Sequence, residues 1–172
     1  NYTINNDGTI DVDGDVDLYI RKLTKIPFKY SRVSDRFDCS NNQLTNLIGS
    51  PIYIGLDFNC SANKLTSLKG SPDYIGGDFY CSNNQLVNLK GSPDYIGGGF
   101  YCNSNKLTSL EGCPKKINGV LDCEHNNLTT LNYSPNHIDG NFNCRYNKLT
   151  TLKGYPKHIN GNFYCGNNEI KY

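Results

Sequence analysis

Methionine and tryptophan are both absent from the 172 residues, and methionine is missing even from position 1, so the chain reads as processed or trimmed. Long apolar runs are missing too. None approaches the roughly 18 residues of a membrane span, and the N-terminus has no basic and apolar leader, so the reading excludes a spanning segment and an intact signal peptide. Net charge is almost nil: 17 Lys and Arg stand against 16 Asp and Glu, giving +1, and no global field recruits nucleic acid or an anionic membrane. Any electrostatic preference has to be local. Hydrophobic residues make up only 37%, little for a globe built round one central core, but a stacked architecture needs fewer.

What the sequence has instead is a period. Cys39, Cys60, Cys81, Cys102, Cys123, Cys144 and Cys165 fall 21 residues apart with nothing inserted or deleted, each inside one phrase, clearest as Phe79-Tyr80-Cys81-Ser82-Asn83-Asn84-Gln85-Leu86. A constant period of this length specifies a solenoid, in which each repeat is one coil stacked on the last and no coil is stable alone. Disulfide frameworks use irregular spacings, so even spacing points to reduced, buried thiols packed as small hydrophobes and, with them, to a cytoplasmic setting.

The turn from Phe79 to Gly99 shows how one coil is built. Phe79 and Cys81 alternate with Tyr80 and Ser82, the period of two of a short strand with one buried face. Asn84 ends the strand, and Leu86, Leu89, a Gly91-Ser92-Pro93 turn, Ile96 and Gly97-Gly98 follow. The column of Asn42, Asn63, Asn84, Asn105, Asn126, Asn147 and Asn168 falls where the chain leaves the strand, and a stacked ladder of carboxamides can satisfy the backbone groups freed there. The prolines from Pro51 to Pro156 fix the far turn, with Gly ahead of most of them supplying a positive φ. Tyr133 interrupts that glycine column, so its turn is expected to differ. At the start, Tyr2-Thr3-Ile4 and Thr9-Ile10 flank Asn6-Asp7-Gly8, a hairpin signal, and Val12 to Leu18 align with the later coils with Leu18 in the cysteine place.

Assembled, Phe-x-Cys-x-x-Asn-x-Leu-x-x-Leu resembles the leucine-rich-repeat signature, with Phe and Cys in two of the strand's leucine places. The resemblance covers nearly the whole chain and is closest to the short bacterial class, which has a Pro-containing convex segment in place of a helix. The Cys-Ser-Asn-Asn-Gln-Leu-Thr phrase and the Gly-Ser-Pro turn are also similar to repeat proteins of large tailed bacteriophages and some bacteria. The resemblance implies a β-rich solenoid: a leucine-rich-repeat coil with a parallel sheet on the concave face, irregular Pro/Gly convex turns and an N-terminal β-hairpin cap. It implies one domain, residues 1–172, with the hairpin at 1–11, a degenerate first coil at 12–36, six repeats over 37–162 and a partial last repeat at 163–172. For function it implies binding, usually through the concave sheet.

The exposed positions of that sheet are read as following the strand Phe, then the Cys, then one place further. Among them Tyr80 and Tyr101 are lateral neighbours, and Tyr146 and Tyr164 form a second aromatic group beyond Glu124, His125 and Arg145. Tyr and Arg are favoured interface anchors because they bring contact area with a polar handle. Stacking of Tyr80 on Tyr101 and a lateral Glu124–Arg145 ion pair are the structural explanations of the same residues. Elsewhere, Asp11, Asp13, Asp15 and Asp17 around Gly14 resemble part of a calcium loop, but Val16 and Lys22 stand where an EF-hand needs Gly and Glu, and an alternating strand with one wet face explains the spacing. A linear cysteine file cannot surround zinc. Cys113 stands apart in a column of Ser and Tyr, and is expected to be the accessible thiol. Arg21, Lys22, Lys25, Lys29, Arg32 and Arg36 form a local basic segment.

No nucleophile, base and orienting group share a face, so the expectation is no enzyme and no cofactor. A non-enzymatic scaffold binding a protein partner is the leading expectation, with capture or inhibition of a host defence factor if the phage resemblance holds. A carbohydrate-binding or virion surface module and a structural subunit assembling through its ends are the alternatives, the last including a homodimer through the C-terminal coil.

Overall fold

In the computed structural model, which describes residues 1–170, the chain enters through the expected hairpin. Strands β1 (Tyr2–Ile4) and β2 (Ile10–Val12) pair antiparallel. Gly8 takes φ 78° at their turn, and Asp7 accepts hydrogen bonds from the Thr9 amide and hydroxyl at 3.0 and 2.7 Å. Each coil then contributes two short strands. They are β3 (Val16–Asp17) and β4 (Tyr30–Val33), β5 (Phe37–Asp38) and β6 (Tyr53–Ile54), β7 (Phe58–Asn59) and β8 (Tyr74–Ile75), β9 (Phe79–Tyr80) and β10 (Tyr95–Ile96). Next come β11 (Phe100–Tyr101) and β12 (Lys116–Ile117), β13 (Leu121–Asp122) and β14 (His137–Ile138), β15 (Phe142–Asn143) and β16 (His158–Ile159), and finally β17 (Phe163–Tyr164). The result is a β-solenoid of about seven turns with no helix among the described residues, and hence none long and apolar enough to cross a membrane.

The Phe-x strands form one continuous parallel sheet of eight, ordered β17-β15-β13-β11-β9-β7-β5-β3, with residue partners one period apart, as in Phe79↔Phe100. The Tyr–Ile segment, read from sequence as an irregular turn, is ordered as strands too. It makes a second sheet, β1-β2-β4-β6-β8-β10, and after an interruption a third, β12-β14-β16. Lys171 and Tyr172, assigned above to the last partial repeat, lie outside the described residues.

Between the sheets lies the core. Phe, Cys, both Leu and Ile of the middle coils are all but fully buried, while the core is only part-buried at the ends, at Ile10, Val12, Leu18 and Leu23 and at Ile159, Phe163, Cys165 and Ile170. Phe58, Phe79 and Phe100 stack at 5.4 and 5.1 Å, a file that Leu121 interrupts. The asparagine ladder forms as expected. The Asn84 amide nitrogen donates to the carbonyls of Cys60, Cys81 and Ser82 at 3.1, 3.2 and 3.2 Å, and its oxygen accepts the Leu65 N–H at 3.0 Å. One side chain thereby ties two coils together.

Two local expectations need correcting. Cys113 is buried, 7% exposed, and joins the core. Its column points inward: Ser92 and Ser134 donate to the Leu89 and Leu131 carbonyls at 2.7 Å, whereas the Ser50 and Ser71 hydroxyls are buried without a partner. A thiol suits such a place better than an unpaired hydroxyl. Cys165, half-buried in the last coil, is the most exposed thiol. Tyr133, for its part, takes φ 69° in place of glycine and keeps the turn, with Ser134 N–H on Leu131 O at 3.1 Å as Ser92 N–H is on Leu89 O.

The interruption of the second sheet is written in one column. Gly55, Gly76 and Gly97 pack so closely that a Cβ on any of them would collide with the backbone of the coil before, at the carbonyl oxygens of Ser34, Gly55 and Gly76. Their N–H groups bond Val33, Ile54 and Ile75 carbonyls at 2.8 to 3.0 Å. The next residues in the column are Asn118, Asp139 and Asn160. Asp139 and Asn160 recover the ladder bond at 2.9 and 3.0 Å within their own stack. At the junction Asn118 meets the glycine stack, and its side-chain amide, in place of its N–H, donates to Ile96 O at 2.9 Å. The backbone pairing lapses there, although Gly119 still lies close against the backbone of Gly98 and Gly99.

Candidate functional site

The outer face of the eight-stranded sheet carries the candidate residues. In five coils the outward strand position is Asp or Asn and has a local job: Asp17, Asp38, Asn59, Asp122 and Asn143 each accept the N–H two residues on, at 2.8 to 3.3 Å. Such Asx turns steer the chain out of the strand. Tyr80, Tyr101 and Tyr164 occupy the same column and cannot make that bond. Tyr80 and Tyr101 are lateral neighbours as expected, stacked at 4.7 Å with planes 11° apart. The Tyr80 hydroxyl donates to Asp78 at 2.7 Å, and burial followed by the Asp78 bond pushes its ionisation up; burial raises Tyr101 likewise. Beside Tyr80 a small hollow of about 180 Å³ is bounded by Arg36, Asp38, Asp57 and Asn59.

The third column is not on the sheet. Asn41, Ala62, Asn83, Ser104, His125, Tyr146 and Asn167 follow the strand at φ 50° to 56°, forming the left-handed corner that the Asx turns lead into. Asn tolerates that conformation well, and a bulky side chain does not. His125 and Tyr146 hold it while stacked at 4.4 Å and 5°. The two groups drawn from sequence are therefore re-sorted. Tyr146 pairs with His125, whereas Tyr164 lies under the Arg145 guanidinium at 4.5 Å. Glu124 accepts from the Asn143 amide at 2.9 Å, and no Glu124–Arg145 ion pair forms among the described residues, because each partner is already engaged. Burial raises the Asp122 carboxyl, partly offset by the Glu124 N–H it accepts.

The acidic stretch near the start is used locally. Asp15 accepts the Arg36 N–H at 2.9 Å, Asp17 forms its Asx turn, and among the described residues no group of three or more His, Cys, Asp or Glu could hold a metal ion. Of the basic segment, Arg36 pairs with Asp57 at 3.4 Å and Arg32 lies over Tyr53 at 4.1 Å. That second contact begins a file in the convex column that the 21-residue period already lines up as Tyr53, Tyr74, Tyr95, Lys116, His137 and His158. Tyr53, Tyr74 and Tyr95 stack on the outer side of the second sheet at 4.8 Å steps, with planes 4° and 9° apart. What the column did not show is that the segment is a strand, whose pairing holds the three rings at stacking distance.

No protein-family model matches the chain, and no curated protein does.

Proposed function

We propose that this chain is a non-enzymatic binding scaffold of the leucine-rich-repeat kind, which recognises a protein partner through the outer face of its eight-stranded sheet. One observation carries the reading. Tyr80 and Tyr101 stand where other coils place an Asx that closes its own turn, so their side chains are not accounted for by the coil's needs. They present a stacked, half-buried aromatic pair with a hydroxyl fixed by Asp78, the amphipathic character favoured at interface centres. His125 with Tyr146 and Arg145 with Tyr164 supply a second patch a few coils on. The likeness to phage repeat proteins makes a host protein, including a defence factor, the partner class, and the cytoplasm its setting.

The carbohydrate alternative is weaker on this face, because Tyr80 and Tyr101 cover one another's ring faces, and sugars stack on free faces. Assembly with a second copy is supported by apolar surface on the last coil, where Leu152 and Tyr155 are exposed; light scattering over a concentration series tests it. The partner reading is tested by restoring the coil's own preference. Tyr80→Asn with Tyr101→Asn should keep the fold and its denaturation midpoint while losing partner capture from host lysate. Undiminished capture by this double variant sinks the assignment of the face.

A further inference from the structure

The tyrosine file on the second sheet has one closed end and one open end. Arg32 covers the outer face of Tyr53. Beyond Tyr95 the column continues with Lys116, whose amine is drawn to Asp139 at 3.4 Å, and rings resume only one coil further on, at His137 and His158, so no ring lies next to Tyr95 on that side. Exposure rises toward that end, from 36% at Tyr74 to 45% at Tyr95. The open face borders the junction where the sheet parts, and the space between the coils is a cleft of about 630 Å³ bounded by Asp94, Tyr95, Cys113, Pro114, Lys115 and Asn118 among others. That volume lies within the roughly 300 to 1,000 Å³ of small-molecule sites.

We propose that this cleft binds a small planar aromatic ring bearing an anionic group, with the ring stacked on Tyr95 and the anion met by Lys115 and the Asn118 N–H. A ring there continues a file already set at steps of 4.8 Å. Lys115 makes no ion pair among the described residues, whereas Lys116 is balanced by Asp139. The lapse in pairing also frees donors. Gly97 N–H bonds Ile75 O and Gly98 N–H bonds Gly77 O, but Asn118 and Gly119 make no corresponding backbone bond to the coil before them. Backbone N–H groups left without a ladder partner favour an anionic acceptor. Asp94 is the acid in the lining, and it selects a ring with a hydrogen-bond donor at its edge. A neutral sugar would leave Lys115 unanswered, and an extended glycan would find the other ring faces taken by their neighbours.

The test is a titration of the isotope-labelled full chain, followed by amide chemical shifts, with four probes: adenosine monophosphate, phenyl phosphate, adenosine and inorganic phosphate. Saturable shifts at residues 94–96 and 113–119 are expected with the two ring phosphates, and at least tenfold weaker binding with adenosine or phosphate alone. Asn118→Gly removes the side chain that takes the place of the backbone bond to Ile96 and lets the column's glycine pairing resume; it should slow hydrogen exchange at amide 118 and weaken ring-phosphate binding at least tenfold. Tyr95→Leu, which leaves the cleft open, should weaken it equally. Absence of saturable shifts at these residues, equal affinity for phosphate alone, or unchanged binding by Tyr95→Leu or by an Asn118→Gly chain protected at amide 118 would overturn the proposal.

Discussion

Truncating one rung of the asparagine ladder, Asn84→Ala, tests the coil's central construction. The rung makes four hydrogen bonds, but they are not of equal consequence. The carbonyls of Cys60, Cys81 and Ser82 each keep another donor, from Asn63, Asn105 and the Ala62 N–H respectively. The Leu65 N–H keeps none: Asn84 Oδ1 is its partner, at 3.0 Å in a buried setting. Stranding that donor costs about 1 to 3 kcal/mol, and weakening three shared acceptors adds roughly 1 kcal/mol more. A loss of about 3 kcal/mol is therefore expected, against less than about 0.5 kcal/mol for the exposed neighbour in Gln85→Ala. Asn168→Ala should fall between them, because its rung is only part-buried. Urea unfolding followed by circular dichroism reads the three midpoints. Stacked coils need not unfold in one step, so hydrogen exchange at Leu65 should accompany it. Equal midpoints for Asn84→Ala and Gln85→Ala would refute the ladder as a source of stability.

The remaining predictions concern thiols, charge and backbone strain. Alkylation of the native protein should label Cys165 first and Cys113 no faster than the ladder, since burial pushes the Cys113 and ladder thiols up, Cys144 to about 12; mass spectrometry of time points decides, and prompt labelling of Cys113 would show that its column faces outward. Because Asp122 has its folded pKa raised above an unfolded value of about 3.9, its charge costs stability once pH climbs through that value, fully above the folded one. Asp122→Asn, which keeps an oxygen for the Glu124 N–H, should thus raise the midpoint at pH 7 and leave it unchanged near pH 3; a gain that persists in acid would refute the electrostatic cause. At Tyr133 a left-handed conformation costs about 1 to 2 kcal/mol and glycine's extra freedom about 0.5 to 1 kcal/mol, so Tyr133→Gly should stabilise by up to about 1 kcal/mol. Thermal unfolding showing a clear loss would mean that the exposed ring contributes packing.

How much could be read beforehand followed from what each signal depends on. The columns of Phe, Cys, Leu and Asn are set by packing between identical neighbours, so periodicity alone located the strand, the core and the ladder. Cys113 was misplaced because a column of Ser and Tyr looks polar, although turn geometry points it inward at Ser92 and Ser134. The second sheet escaped notice because two residues, Tyr-Ile or His-Ile, are too few to show alternation, and their order comes from bonds to the coils on either side. Among the candidate residues the contacts were legible only in part: Tyr80 stacks on Tyr101 as expected, while Tyr146 and Tyr164 meet different neighbours and not each other. Which side chain meets which depends on the left-handed corner at His125 and Tyr146, a backbone feature signalled only by the Asn at the equivalent position of other coils, Asn41, Asn83 and Asn167.

In a repeat array the departures from a column are therefore more informative than its consensus. A consensus residue is explained by the coil: Asx closes a turn, Asn relaxes a left-handed corner, glycine lets two backbones approach. Tyr80 and Tyr101 give up the turn bond, Tyr146 holds a corner that costs it about 1 kcal/mol or more, and Asn118 interrupts a sheet that Gly97 had kept closed. The eight-stranded sheet runs unbroken past that point, Phe100 pairing with Leu121, so the tyrosine pair stays in register with the strand that leads into the His125 corner while the pairing of the second sheet lapses. Local rules are relaxed at these positions and obeyed at their equivalents in other coils; the exchanged side chains still meet coil to coil, Tyr80 on Tyr101 and His125 on Tyr146, and it is on these departures that the proposed binding surfaces rest.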